Sequence, residues 1–416
     1  MKKFSYGKTF LLGFGFFGVS VIWSTYNAFV PLFLDGRFGL SAGWIGFFMT
    51  LDNIAGLLIQ PPVGAWSDRL RTPIGRRIPF ILIGAPVGAL IFGLIPLASI
   101  LPLFVLCTST LLISMAFWRT PVVALMPDIT PSRYRSQANG IINLMGGLGA
   151  LVSFFVGSKL FDINEAYPFW LGSVLVIVSA LLVFIFIKEP KEYEVVKKED
   201  TPNLLQSMKE ILQEEEKSPL RMLLAIFFWF VSYNAIEAFF TLYGVNHLML
   251  SPGESAFQLT FLSLIFLIFA MPSGYIGAKI GRRTTIMIGL VIMAISILML
   301  YIIPADTLNI TLATIPVVGK LRIVGVILMG SGLSWALINI NSLPMVVDMT
   351  EDVRIGTFTG LYYMASTLAA ITGPNIFGLI VQLGNNNYNL MMIFSPIFLV
   401  LALVMMAGVK RGEAKE

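Results

Sequence analysis

The sequence is poor in the side chains on which many enzymes and secreted proteins depend. It contains one cysteine, Cys107, and one histidine, His247, in 416 residues. A single cysteine excludes a disulfide or a thiolate metal site within one chain, and Cys107 lies in an apolar run where a small buried filler is expected. The sequence has no Gly-x-x-x-x-Gly-Lys-Ser/Thr phosphate loop, which argues against ATP-driven work. Without a nucleophile–base set or a metal cluster, we expect neither an enzyme nor a cofactor.

Charge is scarce as well. Only 12% of the residues are charged and 56% are hydrophobic, whereas soluble domains average about 25% charged residues, so a lipid bilayer must be the solvent. A spanning helix needs about 20 apolar residues, and backbone groups in lipid must be satisfied within helices. The sequence predicts twelve transmembrane helices, at about 10–34, 44–66, 78–98, 101–128, 137–160, 169–187, 221–248, 257–278, 284–304, 320–349, 355–384 and 389–409.

The basic residues predict the topology. Most of the 28 Lys and Arg fall on the side of the membrane that carries both termini, which is therefore expected to be cytoplasmic in the plasma or inner membrane. The first apolar stretch is too long for a signal-peptide core, so we expect it to be retained. Basic residues are scattered and not interleaved with aromatics, so we expect a bilayer partner and no nucleic acid.

Three polar signatures of the first half of the chain recur in the same order in the second half. They are Tyr26-Asn27-Ala28 and Tyr233-Asn234-Ala235, Gly75-Arg76-Arg77 and Gly281-Arg282-Arg283, and Asp128-Ile129-Thr130 and Asp348-Met349-Thr350. In a membrane chain, such a repeat is typical of a two-lobed transporter. The expected fold is all-α, with twelve transmembrane helices in two pseudo-symmetric six-helix lobes.

The hydrophilic stretch between the halves predicts the domain boundaries. We assign residues 1–187 to an N-terminal lobe, 188–220 to a cytoplasmic linker and 221–416 to a C-terminal lobe. Within the linker, apolar residues recur at helical spacing and predict a short amphipathic helix on the cytoplasmic face; they are Leu204, Leu205, Met208, Ile211 and Leu212. A tether between the lobes is the simpler interpretation, and docking of a partner is the alternative.

The loop after the second predicted span carries Gly64, Asp68-Arg69 and Gly75-Arg76-Arg77. It resembles the signature loop of the major facilitator superfamily, which acts in that family as a conformational latch. The second copy has Ala278 where the family has an aspartate, so the resemblance implies an asymmetric latch. The candidate gating residues are Asp68, Arg69, Arg76, Arg77, Asp128, Arg282, Arg283 and Asp348. For Asp128 and Asp348 we expect loop capping or pairing with Arg133, Arg135 or Arg354.

Two stretches, the first of which includes this loop, are similar to the sucrose-transporter branch of the glycoside–cation symporters. The first runs from Gln60-Pro61-Pro62 to Asp68-Arg69 and continues with Gly75-Arg76-Arg77-Ile78-Pro79-Phe80-Ile81; the second runs from Arg119-Thr120-Pro121 to Asp128. The resemblance implies proton-coupled symport of a sucrose- or maltose-like disaccharide by alternating access. The extracellular histidine of that family has no match, because His247 lies elsewhere.

Three ionisable residues are predicted to lie within the membrane and to couple protons to transport: Asp52, Arg119 and Glu237. A charge near the bilayer centre costs at least about 2.5–3.5 kcal/mol, so each must face a partner or a water-filled cavity. Arg119 either pairs with Asp52, binds sugar hydroxyls or makes a structural ion pair. Asp52 is alternatively a cation or sugar contact, or structural. A structural bridge from Glu237 to Lys320 or Arg322 also remains open.

Sugar binding needs aromatic faces with amide and hydroxyl partners. The candidates are Tyr26, Asn27, Asn53, Trp118, Tyr233, Asn234, Trp335 and Asn339, although aromatics are also enriched at membrane interfaces. We expect a monomer that takes a small sugar, with a proton, or else sodium, as the coupling ion. The alternatives are a sodium-coupled or efflux porter for another small amphiphile, and a membrane sensor that transports nothing.

Overall fold

A computed structural model describes residues 5–130, 134–189, 208–209, 211, 213, 215–315, 319–350 and 355–413. In this part of the chain, twelve helices are long and apolar enough to span a bilayer, which confirms the predicted fold. Their bounds are α1 Tyr6–Arg37, α2 Ala42–Arg69, α3 Ile78–Leu97, α4 Leu101–Ile129, α5 Ala138–Ile163, α6 Tyr167–Phe186, α7 Ser218–Asn246, α8 Pro252–Ile280, α9 Arg282–Ile302, α10 Ile323–Val347, α11 Thr357–Leu383 and α12 Leu390–Ala407.

A small β-hairpin between α9 and α10 was not predicted. Strand β1, Thr311–Ile315, pairs antiparallel with β2, Gly319–Arg322. The predicted start of the tenth span near residue 320 is therefore slightly early. Lys320 is exposed, and Arg322 donates to the carbonyl oxygen of Asn309 at 2.8 Å. These polar residues favour a hairpin outside the hydrocarbon region, and the helix begins at Ile323.

Helix α2 consists of two parts. A turn at Met49 and Thr50 separates Ala42–Phe48 from Leu51–Arg69. The side chain of Thr50 donates to the carbonyl oxygen of Phe47 at 2.7 Å, so the turn satisfies part of the backbone that it interrupts. The break places Asp52 in the first turn of the longer part.

The described residues form two compact units. The first comprises Met1–Leu40, Leu51–Glu194 and Leu250–Phe257, and the second comprises Ser41–Thr50, Val195–Met249 and Gln258–Glu416. In the predicted linker, Met208, Lys209, Ile211 and Gln213 are described and helical, and Ile211 is buried. Leu204, Leu205 and Leu212 lie outside the described residues, so the amphipathic helix stays a prediction.

Within the first unit, small residues allow helices to approach closely. A Cβ atom added to Gly84 of α3 would lie 2.8 Å from the Cβ atom of Trp118 of α4. Glycine is therefore required at this crossing. The packing holds α3 firmly against α4, which carries both Arg119 and Asp128.

Candidate functional site: a charged centre, an aromatic platform and two helix-end networks

The charged centre of the first unit lies on three helices. Asp52 of α2 accepts a hydrogen bond from the side-chain amide of Asn53 at 2.8 Å. The positive charge of Arg119 of α4 acts on the same carboxylate, and the carboxylate in turn acts on the phenol of Tyr26 of α1. The fold thus brings together four residues that the sequence predicted from three separate spans.

Tyr26 is the buried member of this group. Its side chain is 1% exposed, and its hydroxyl oxygen makes no hydrogen bond within the described part of the chain. A buried hydroxyl without a partner costs about 1–3 kcal/mol. Asp52, Asn53, Arg119 and the neighbouring Asn27 are all half-buried. The charged centre therefore combines partly exposed groups, which a small ligand can reach, with the Tyr26 hydroxyl, which can still form a hydrogen bond.

The aromatic platform of the second unit is built on α7 and α10. The rings of Tyr233 and Trp335 stack in parallel, with centroids 3.7 Å apart and planes at 6°. Phe230 meets the edge of Trp335 at 5.3 Å and 88°. Trp335 is 5% exposed, whereas Tyr233 is half-buried. Tyr233 is therefore the ring that can offer a face to a ligand, and Trp335 supports it from behind.

Polar groups accompany the platform. The negative charge of Glu237 acts on Tyr233, and both side chains are half-buried on α7. The amide of Asn234 donates to the carbonyl oxygen of Phe230, one helical turn back, at 2.7 Å. Asn339 is half-buried on α10. The predicted amide and acid candidates of the second unit thus share two helices with the stacked rings.

Trp118 differs from the other predicted sugar contacts. Its side chain is 0% exposed, and its indole nitrogen lies 3.1 Å from the sulfur of Met115. The ring fills the space beside Gly18 and Gly84. A ring without exposed surface cannot stack on a sugar, so Trp118 is explained by helix packing and does not belong to the sugar site.

The first helix-end network surrounds Arg77, at the start of α3. Its guanidinium pairs with Asp68 of α2 and donates to Ser67. It also pairs with Asp128 of α4 at 3.0 Å, and Arg76 pairs with the other carboxylate oxygen at 2.7 Å. Arg77 is 4% exposed, so this network ties three helices together. Arg69, another predicted gating residue, is exposed.

The second helix-end network repeats the first only in part. Arg282 pairs with Asp348, as Arg76 pairs with Asp128. Ala278 stands where the first copy has Asp68, and Arg283 instead donates to the carbonyl oxygens of Met406 and Ala407 of α12, at 3.1 and 2.5 Å. The two networks are therefore unequal in charge.

Asp128 and Asp348 have partners that the sequence analysis did not name. Asp128 pairs with Arg76 and Arg77, and Asp348 pairs with Arg282; these arginines lie at the start of the third helix of each half. Arg133 and Arg354 lie outside the described residues, as does the side chain of Arg135, so pairing with these three residues stays a prediction. The fold brings the end of the fourth helix beside the start of the third, and spacing along the chain does not show this.

Two glutamates were missed in the sequence. Glu189, just after α6, accepts hydrogen bonds from the backbone N–H groups of Arg76, Arg77 and Ile78 at 2.8–3.0 Å. Glu413, after α12, accepts hydrogen bonds from the backbone N–H groups of Arg282 and Arg283 at 2.6 and 3.1 Å. Each carboxylate satisfies donors that a helix start leaves open. Their matching positions after the last span of each half were a signal that could have found them.

Two further contacts each join the start of one helix to a neighbouring helix. Gln382 of α11 accepts from the Ser41 hydroxyl at 3.1 Å and from the Gly43 backbone at 3.2 Å. Asp162 of α5 accepts from the Ser251 hydroxyl at 3.0 Å and from the Gly253 backbone at 2.8 Å. The repeated Leu40-Ser41-x-Gly43 and Leu250-Ser251-x-Gly253 signal this pair. Within the described residues, no group of three or more His, Cys, Asp or Glu side chains could hold a metal ion.

Comparison with known proteins adds several similarities. The chain is 26% identical over 155 residues to multidrug resistance protein 1 of Bacillus subtilis, covering 36% of this chain and 38% of that protein. It is 25% identical over 257 residues to the class H tetracycline resistance protein of Pasteurella multocida, covering 59% and 60%. It is 24% identical over 164 residues to a sucrose transport protein of Arabidopsis thaliana, covering 34% and 27%. The chain thus spans less than two thirds of each of these relatives.

The fold is similar to that of solved transporters. A bacterial homologue of the human lysosomal transporter Spinster, inward-facing and occupied, matches with a TM-score of 0.74 at 14% identity, covering 98% of this chain and 97% of that one. The family model described as "Major Facilitator Superfamily" matches residues 12–335 and 245–416. With a matching family model over most of its length, the chain belongs to the major facilitator superfamily of membrane transporters.

Proposed function

We propose that this transporter carries out proton-coupled symport of a glycoside, a sucrose- or maltose-like disaccharide, by alternating access. The observation that carries the proposal is the placement of two half-buried ionisable residues, Asp52 and Arg119, on the packed helices α2 and α4 of the first unit. A carboxylate that accepts a hydrogen bond from an amide and lies within the influence of an arginine can exchange a proton when that influence strengthens or weakens. The termini would lie in the cytoplasm, as the basic residues indicate.

The coupling step would use Asp52 as the proton carrier. With Arg119 close, the carboxylate is favoured, and when Arg119 turns to sugar hydroxyls, the protonated acid is favoured. The guanidinium fork suits both partners. Glu237 would be a second acid, beside Tyr233 in the second unit.

Sugar recognition would rest on the aromatic platform. A flat ring packs against the apolar C–H face of a sugar, and Tyr233 is the half-buried ring of the stacked pair. Trp335 holds Tyr233 in place and so reduces the conformational entropy lost on binding. Asn234 and Asn339 would supply hydrogen bonds to hydroxyl groups, as would Asn27, Asn53 and Tyr26 in the first unit.

The test is uptake of labelled sucrose and maltose into proteoliposomes with an inward proton gradient, an inward sodium gradient or none. We expect accumulation with the proton gradient alone. Asp52→Asn should abolish accumulation but keep sugar counterflow, because a neutral side chain mimics the protonated carrier. Asp306→Asn is the matched control, since Asp306 is an exposed acid outside the spans. Uptake that ignores both gradients, or moves no glycoside, would refute the proposal.

A second candidate function is export of another small amphiphile, driven by protons or sodium. The similarity to a multidrug resistance protein and a tetracycline resistance protein favours this alternative. Everted vesicles would distinguish the two, because an exporter accumulates its amphiphile there when the lumen is acidified. A membrane sensor that moves nothing would show no saturable flux in either orientation.

A further inference from the structure

A shallow groove runs along the outer face of α9, beside α12. It has a volume of about 530 Å³ and is lined by Arg283, Thr284, Met287, Ile288, Val291, Ile292 and Leu403. Ile288 and Val291 are each 42% exposed. Because α9 spans the membrane, apolar side chains exposed on it face lipid. The walls of the groove therefore suit an acyl chain.

The length of the groove agrees with one lipid leaflet. The lining residues of α9 run from position 283 to 292, which corresponds to roughly 14 Å of helix at 1.5 Å per residue. Half of a hydrocarbon core of about 30 Å is about 15 Å. Arg283 and Thr284 lie at the start of α9, beside the end of α12, and the apolar residues extend from there along the helix toward the bilayer centre.

The polar end of the groove differs from its counterpart in the first half of the chain. Arg77, the equivalent of Arg283, is 4% exposed and pairs with Asp68 and Asp128. Among the described residues, Arg283 has no ion pair with a carboxylate: Ala278 stands where the first copy has Asp68, and Asp348 pairs with Arg282. Its described side-chain bonds go to two carbonyl oxygens of α12. These bonds use two of the five guanidinium donors and fix the orientation of the group.

The charge around this end favours an anion. Arg282, Arg283 and Lys410 lie at the adjoining helix ends; Arg282 is paired with Asp348, whereas Lys410 is exposed. Glu413 accepts hydrogen bonds from the backbone nitrogens of Arg282 and Arg283, and Arg283 is one of the residues that line the groove. Basic pockets between helices on the cytoplasmic side bind anionic headgroups.

We propose that the groove binds one anionic phospholipid, with its phosphate on Arg283 and Thr284 and one acyl chain along Ile288 and Val291. Replacement of the aspartate by Ala278 contributes to this, because the second arginine of the repeat lacks the equivalent of Asp68, and the equivalent of Asp128, which is Asp348, pairs with Arg282 instead. The site would be specific to the second half of the chain. It does not depend on which substrate is transported.

The test is lipid binding by the full-length protein in detergent, measured by native mass spectrometry and by melting temperature. Phosphatidylglycerol and phosphatidylcholine with identical acyl chains serve as probes. We expect wild type to bind phosphatidylglycerol preferentially and to melt at a higher temperature with it. Arg283→Gln should weaken that binding about fivefold, the effect of about 1 kcal/mol per basic residue.

A groove-filling variant keeps the test valid if Arg283→Gln does not fold. Val291→Trp fills the groove from an exposed position, and it should remove the preference for phosphatidylglycerol. Val326→Trp is the matched control, since Val326 is also 42% exposed but lies on α10, outside the groove. Equal binding of both lipids by wild type would overturn the proposal. Full preference retained in Val291→Trp would overturn it too, by placing the lipid elsewhere.

Discussion

Glu189 accepts a hydrogen bond from the backbone nitrogen of Arg77 at 2.8 Å. The same arginine binds Asp68 and Asp128 through its side chain. One residue therefore joins the end of α6, through its backbone, to the ends of α2 and α4, through its guanidinium. This arrangement makes the start of α3 a junction of three other helices of the first unit.

Gly75, just before that junction, should tolerate no side chain. Its φ of +117° is strained for any other residue, and an added Cβ would overlap the Glu189 carboxylate. We expect Gly75→Ala to destabilise the protein by about 1–2 kcal/mol, seen as a lower melting temperature. Gly281→Ala should cost less, because its added Cβ would lie 3.1 Å from Glu413. Gly140→Ala, with open space around it, is the control. Equal melting temperatures for all three would contradict this account.

Arg77 should be the most sensitive of the predicted gating residues. Arg77→Ala would leave Asp68 and Asp128 without their shared partner. Breaking a buried ion pair costs about 3–5 kcal/mol of stability. Since Asp68 is 55% exposed, we expect a loss at the lower end of that range. Arg69→Ala removes an exposed charge of the same type and should cost less than about 0.5 kcal/mol. Thermal unfolding of both variants in the same detergent measures the difference, and similar losses would show that the network is not stabilising.

Gly46 should be essential for the contact between the short first part of α2 and α11. An added Cβ would overlap the carbonyl oxygen of Pro374. Gly46→Val should therefore separate the two segments and increase amide hydrogen exchange across residues 42–48. Gly36→Val is the control, because nothing lies within 4 Å of its added Cβ. Unchanged exchange in Gly46→Val would show that the contact is not maintained in solution.

His247 should make stability depend on pH. Burial lowers the pKa of this imidazole below its usual value, which is about 6.5. As pH falls through 6.5 toward the lowered value, the unfolded chain binds the proton more readily than the folded one, so stability decreases. His247→Gln should reduce this loss between about pH 7 and pH 5. The melting temperature across this range measures it, and identical curves for wild type and variant would contradict the prediction.

The fold could be predicted from the sequence because membrane insertion depends on a local sum of side-chain hydropathy. Each run of about 20 apolar residues specifies a helix with little help from its neighbours. The β-hairpin was missed because Leu321 and Ile323 continue the apolar pattern of α10 across the strand. The charged centre could be predicted in part, because isolated charges such as Asp52 and Arg119 are conspicuous in apolar segments.

Which face of each helix is buried could not be predicted in the same way. In a helix that is apolar on all sides, periodicity does not separate a buried ring from one facing a cavity. Trp118 and Trp335 therefore looked alike in the sequence, whereas the structure buries the first against glycines and stacks the second on Tyr233. Glu189 and Glu413 looked like ordinary charges following a span.

By itself, the sequence determined the twelve spans, the repeat and its asymmetry at Ala278, since these follow from composition and order along the chain. Tertiary structure alone decided the partners: Arg77 with Asp68 and Asp128, Glu189 with the start of α3, and Arg283 with the end of α12. The physical reason is range. Hydropathy acts residue by residue, whereas an ion pair needs two atoms within about 4 Å, and only the packing of helices distant in sequence brings them that close.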